Sequence, residues 1–122
     1  MREITAHKVE GKGGGKDITR VLVHDDPGPR GACHQYSVGV LDDPAMLFVQ
    51  FQFGPIQEVG INGVQQEHLL AIVADRLTSF QTGPFANDYN AEALEHVNAA
   101  LAALKRRTTD RIARKVEGYN VA

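Results

Sequence analysis

The chain has 122 residues, enough for one domain that buries roughly two-thirds of its unfolded surface, and a formal net charge of −2, which gives no overall drive toward nucleic acid or membrane. Its single cysteine, Cys33, excludes an internal disulfide framework and fits a reducing compartment. No apolar leader or span-length apolar window occurs, so the reading is a soluble intracellular domain.

Residues 4–53 read as β. The first candidate strand is 4–9, followed by the connector Gly11-Lys12-Gly13-Gly14-Gly15-Lys16. That run fails as a phosphate loop, because Asp17 follows Lys16 where Ser or Thr is needed and a strand rather than a helix comes next. Residues 18–24 are rich in β-branched residues and end at Asp25-Asp26-Pro27-Gly28-Pro29; residues 34–40 follow, closed by Leu41-Asp42-Asp43-Pro44. Residues 46–53 alternate most clearly, with Leu47, Val49, Phe51 and Phe53 on one face. Short connections favour an antiparallel meander with one face covered, the cover being helical.

Gly54-Pro55 ends the sheet. Asn62 is the expected N-cap of a first helix, with Gln65 as its capping-box partner, an apolar face through Leu69, Leu70, Val73, Leu77 and Phe80, and a stop at Gly83-Pro84. After about eight residues Asn90 is the expected N-cap of a second helix. Its seam runs through Leu94, Val97, Leu101, Leu104, Thr108 and Ile112, spaced by three and four. The fold class is therefore α+β: an N-terminal antiparallel β-meander (1–54) followed by a C-terminal antiparallel two-helix hairpin (55–122), in one domain.

Candidate chemistry concentrates in the hairpin. The five histidines form no metal-binding spacing, Cys33 next to His34 lies on opposite strand faces, and no paired carboxylates stand out, so neither a metal nor a cofactor is expected. Residues 105–115 carry six cations and one acid, Asp110, and Arg107, Arg111 and Arg114 share one helix side. Three readings of that row stay open on residues alone: a solvated helix end paired to Asp110, a nucleic-acid contact, or a clasp for a phosphorylated ligand. For the last, Phe80, Phe85 and Tyr89 offer stacking surfaces, and Asn62, Asn87 and Asn90 offer amides. Asn90 and Arg107 stand 17 positions apart on one helix, about 25 Å at 1.5 Å per residue, so a second copy packed head to tail would have to close the pocket.

Two long runs carry a family resemblance. Residues 51–86, F-Q-F-G-P-I-Q-E-V-G-I-N-G-V-Q-Q-E-H-L-L-A-I-V-A-D-R-L-T-S-F-Q-T-G-P-F-A, and residues 107–118, R-T-T-D-R-I-A-R-K-V-E-G, resemble the helical hairpin of the first-described phage Thoeris anti-defence sponges. The anti-CBASS cyclic-oligonucleotide sponge shares that hairpin, and the preceding β region points to the Thoeris branch.

The resemblance implies a non-enzymatic protein of the host bacterial cytoplasm. It would sequester glycocyclic ADP-ribose made by TIR-domain immunity, could also take cyclic di- or trinucleotides, and would assemble from dimers into a hexamer. It implies that Phe80 stacks on the adenine, that Asn90 hydrogen-bonds the ligand, that Arg107 and Arg111 clasp its phosphates with Arg114 in the same row, and that Asn62 and Phe85 lie nearby. It further implies that alanine at Arg107 or Arg111 abolishes capture with the fold intact. The family's ending often reads A-R-G-V-E-G-T; here Lys115 and Tyr119 stand where the family has small residues, near the expected cyclic-trinucleotide site. A small cyclic-nucleotide hydrolase and a phage nucleic-acid-binding regulator are the alternative classes; membrane or nucleic-acid partners are not expected.

Overall fold

The computed structural model describes residues 1–9, 18–40 and 43–119, with backbone alone for 43–45. The connector at 11–16 lies outside the described residues. The chain divides into two compact units, Met1–Phe53 with Asn62–Val64, and Gly54–Ile61 with Gln65–Ala122.

In the first unit, β2 (Thr19–Val23) and β3 (Gln35–Val40) are rich in β-branched and aromatic residues, and β1 (Arg2–Ile4) and β4 (Asp43–Gln50) pair onto their outer edges. They pair antiparallel in the order β1-β2-β3-β4, the expected meander. The strand limits differ from the sequence reading at both ends of the sheet. β1 is cut short by a turn in which the Lys8 N–H donates to the Thr5 carbonyl. β4 begins at Asp43, because a register irregularity between Val38 and Val40 leaves Pro44, which has no N–H to donate, opposite no β3 partner. Leu22, Val23, Cys33 and Val49 form the core, and the aromatic pairs His34–Phe53 (ring centroids 4.1 Å) and Tyr36–Phe51 (5.5 Å) extend it.

After Gln50 the chain makes a single parallel bridge, Phe51 with Val64. The Val64 N–H donates to Gln50 O and Gln52 N–H to Val64 O, each at 2.8 Å. Asn62 is part of this join and not a helix cap. Its Oδ1 accepts from Phe53 N–H at 2.8 Å and its Nδ2 donates to Phe53 O at 2.7 Å, so the amide imitates one more rung of backbone pairing.

The second unit holds α1 (Ile56–Val59), α2 (Gln66–Gln81) and α3 (Asp88–Ala113), with α2 and α3 forming the hairpin. Both helices start at caps other than those expected. Gln65 caps α2, and His68 closes the box by accepting the Gln65 N–H on Nδ1 at 3.0 Å. Asn87 caps α3, its Oδ1 accepting from the Asn90 N–H at 2.8 Å, which places Asn90 in the first turn. Each expected cap is a good capping residue with a better-placed competitor three positions away in sequence.

The α3 seam is half-buried at Leu94, Val97, Leu101, Leu104 and Thr108, as expected, but its last position is Arg111 and not Ile112. Arg111 is 3% exposed while Ile112 is 61% exposed. Strict alternation of three and four from Leu94 leads to 111; apolarity had suggested one position further. Two helices cover each other on one flank only. Arg111 is consequently the sole buried residue among those described in this unit.

A Schellman motif ends α3: Lys115 N–H bonds Ile112 O at 2.9 Å and Val116 N–H bonds Arg111 O at 3.0 Å. The motif needs a left-handed residue after the cap Arg114, and Lys115 supplies it with φ 59°. A glycine here would meet that backbone demand without a Cβ. Lys115→Gly is expected to raise stability by about 1 kcal/mol, read as a higher urea midpoint at unchanged slope.

Candidate functional site

The candidate residues fall at opposite ends of the hairpin and, for Asn62, in the other unit. Phe80 closes α2, Phe85 lies in the connecting loop and Asn90 opens α3, so these three share the loop end. The loop is braced there: Gln81 Oε1 accepts the Asn87 N–H at 3.1 Å, and Asn87 Nδ2 donates to Phe85 O at 3.1 Å. Phe85 and Tyr89 are largely exposed. Phe80 carries a cation on one ring face, with Arg76 Cζ 5.1 Å from its centroid. That stacking follows from helical spacing of four and was readable in the sequence.

Arg107, Arg111 and Arg114 gather at the far end of α3, and the structure separates their roles. Arg107 is exposed. Arg114 is exposed and donates from Nε to Asp110 Oδ2 at 3.0 Å, an i,i+4 pair of small energetic weight. Arg111 organises the residues that follow the helix. Its Nε donates to Glu117 Oε2 at 3.2 Å, and its Nη2 donates to the carbonyls of Val116 at 2.9 Å and Tyr119 at 2.8 Å. The turn so gathered reaches α1, where Gln57 N–H donates to Gly118 O at 2.9 Å. Gly118 has φ 82°, and a Cβ there would stand 2.6 Å from Gln57 Cγ. Glu117 was not singled out in the sequence, because nothing in spacing alone says that an arginine will turn back along its own chain.

An open groove on α3 is lined by Ala102, Lys105, Arg106, Thr109, Asp110 and Ala113, none of them among the seven candidates. It is one helix face with small residues along it and basic residues at its rim.

In the sheet unit, Asp25 clamps the start of β3. Its carboxylate accepts the backbone N–H of His34 at 2.9 Å and of Gln35 at 3.0 Å. Partial burial alone would push that carboxyl up, but these backbone donors outweigh it and hold the group below its ordinary value. A base–hydroxyl pair occurs nearby, His24 Nε2 to Ser37 Oγ at 2.6 Å. Ser37 is 1% exposed, so no substrate reaches its oxygen, and the exposed His24 covers it from the surface.

Comparison with known proteins places these features in context. A family model described as "Acb2/Tad1, hairpin domain" matches residues 44–109, more than half of the chain. That span contains Asn62, Phe80, Phe85, Asn90 and Arg107 and stops short of Arg111 and Arg114. A protein named Thoeris anti-defense 1, from Bacillus phage SBSphiJ7, is 46% identical over 70 residues, covering 57% of this chain and 49% of that protein. The chain thus spans about half the length of that curated relative.

Proposed function

The chain belongs to the Acb2/Tad1 hairpin-domain family, and from that premise we propose that it is a non-catalytic phage anti-defence sponge. It captures glycocyclic ADP-ribose made by TIR-domain immunity in the host cytoplasm and withholds it from the defence effector, with cyclic di- or trinucleotides as further candidate cargo. The observation that carries the reading is the kinship to a phage protein named for Thoeris anti-defence. Geometry supports the chemistry. Arg107 stands exposed four positions before Arg111 on the same helix side and can take a phosphate directly, while Arg111, 3% exposed and bonded to Glu117, joins it on a pyrophosphate when that carboxylate moves aside. Phe80, Phe85 and Asn90 supply the base-binding half at the other end of the helix, near the exposed ring of Tyr89.

One hairpin holds the two halves too far apart to close on a single nucleotide. The sponge is therefore a homo-oligomer in which the loop end of one copy meets the arginine end of another. Ile72, Val73 and Ile112 remain exposed on the hairpin and supply apolar surface for that association. A dimer-based hexamer is the assembly that the family resemblance implies. Capture needs affinity alone: a nanomolar dissociation constant, about −12 kcal/mol, leaves little signal free at micromolar protein.

Equilibrium dialysis against glycocyclic ADP-ribose tests the proposal. The unaltered protein is expected to deplete the ligand, and Arg107→Ala to weaken binding at least 100-fold, about 2.7 kcal/mol, with an unchanged melting temperature because the residue is exposed. Equal depletion by both proteins would remove Arg107 from the site, and depletion by neither would remove the ligand assignment.

A further inference from the structure

Arg111 already holds an anion. Glu117 occupies its Nε at 3.2 Å while two carbonyls occupy Nη2. The partners differ in freedom: the Arg111 side chain is 4% exposed, whereas that of Glu117 is 33% exposed. The carboxylate can rotate into water on giving up, besides Arg111, a 3.3 Å bond from the Gly118 N–H to its Oε1, whereas the guanidinium cannot leave without dismantling the turn. The exposed Arg107 lies one helical turn back on the same side.

We infer that Glu117 is a built-in stand-in for the ligand's phosphate, neutralising Arg111 until a pyrophosphate that spans Arg107 and Arg111 displaces it. The inference rests on the reading of these two arginines as the phosphate clasp. Displacement exchanges one anion on Arg111 for another, so an anion confined to Arg111 gains little from it. A pyrophosphate gains the second arginine as well and prevails. Glu117 thereby sets a threshold: every anion that takes its place on Arg111 meets the same exchange cost, and a group that also reaches Arg107 overcomes it, whereas orthophosphate, abundant in any cell, is left with weak binding. It is a competing internal anion rather than a ligand contact.

The test uses the full chain titrated calorimetrically with inorganic pyrophosphate and with orthophosphate. Glu117→Gln keeps an acceptor for Arg111 Nε but removes the charge. It is expected to bind pyrophosphate about tenfold tighter, ~1.4 kcal/mol, and orthophosphate tighter by a similar factor, with pyrophosphate still preferred through Arg107. Unchanged or weaker pyrophosphate binding by Glu117→Gln overturns the inference. A second readout needs no variant: the side-chain carboxyl 13C resonance of Glu117 moves when pyrophosphate is added to the unaltered protein, and a resonance that stays in place also overturns it. Glycocyclic ADP-ribose capture is measured in parallel. Capture with no effect at Glu117 sinks the stand-in and leaves the sponge; pyrophosphate exchange at Glu117 without capture sinks the sponge and leaves the stand-in.

Discussion

Arg111→Ala is expected to lose about 3 kcal/mol of stability as well as ligand capture. The substitution leaves the Glu117 carboxylate without its Nε–H donor and strips the carbonyls of Val116 and Tyr119 of the Nη2 donor. Removing one member of a fully buried ion pair costs ~3–5 kcal/mol. Glu117 is one-third exposed, which places this pair at the lower end of that range. The lost stem of the side chain adds packing loss at the last seam position of α3. Urea unfolding reads the loss, and hydrogen exchange at residues 114–119 shows where it falls. Arg111→Lys restores little, because an ammonium cannot serve a carboxylate and two carbonyls in the fork geometry that the guanidinium provides. Unchanged stability in Arg111→Ala would mean that the C-terminal turn holds itself. The family resemblance implied loss of capture with the fold intact at both arginines; with Arg111 buried and bonded to Glu117, Val116 and Tyr119, an undisturbed fold is expected of Arg107→Ala alone.

Gly63→Ala is the second large effect, of about 3 kcal/mol, and it falls in the sheet unit. A Cβ at position 63 would stand 2.5 Å from the carbonyl carbon of Phe51 and 2.6 Å from the oxygens of Gln50 and Phe51. All three are backbone atoms, so no side chain can move aside. The segment 62–64 has to back away, stretching the two 2.8 Å bonds that join Val64 to Gln50 and Gln52 and the Asn62 amide pair with Phe53. With the Gln50 Nε2–Asn62 O and Asn62 N–Gln52 Oε1 bonds, six hydrogen bonds hold this segment, and weakening about half of them at roughly 1 kcal/mol each gives the loss. A thermal melt followed by circular dichroism reads it. Gly83→Ala is the control, since its nearest neighbour would lie at 3.6 Å, an ordinary contact; it is expected to melt as the unaltered protein does. Equal melting of the two variants would contradict the close approach at Gly63.

The fold class was legible because each element carries its own period. The alternation of Leu47 and Val49 marks β4, and Leu94, Val97, Leu101 and Leu104 mark α3. Boundaries were less legible, since several residues compete for each end. Asn62 and Asn90 both have the chemistry of a cap, yet Asn62 found backbone partners in Phe53, and Asn87 reached the Asn90 N–H first. The seam's end misled for a different reason: a charged residue sits in a position that helical geometry assigns to the interior. Arg111 can occupy it because Glu117, Val116 and Tyr119 bring polar partners to it. Those partners follow a left-handed turn at Lys115, which no propensity scale favours for lysine. The arginine row was thus visible in the sequence, but its division into an exposed Arg107, an Asp110-paired Arg114 and a buried Arg111 required three dimensions.

Capture without chemistry is the central claim, and a release assay addresses it most directly. Glycocyclic ADP-ribose is incubated with an excess of the protein, the unbound fraction is collected by ultrafiltration, and the retained fraction is heated to denature the protein before chromatography and mass analysis. The expected result is a ligand that vanishes from the filtrate and returns intact and in full after heating. A ligand that stays in the filtrate, or returns as a cleaved product, would contradict the sponge.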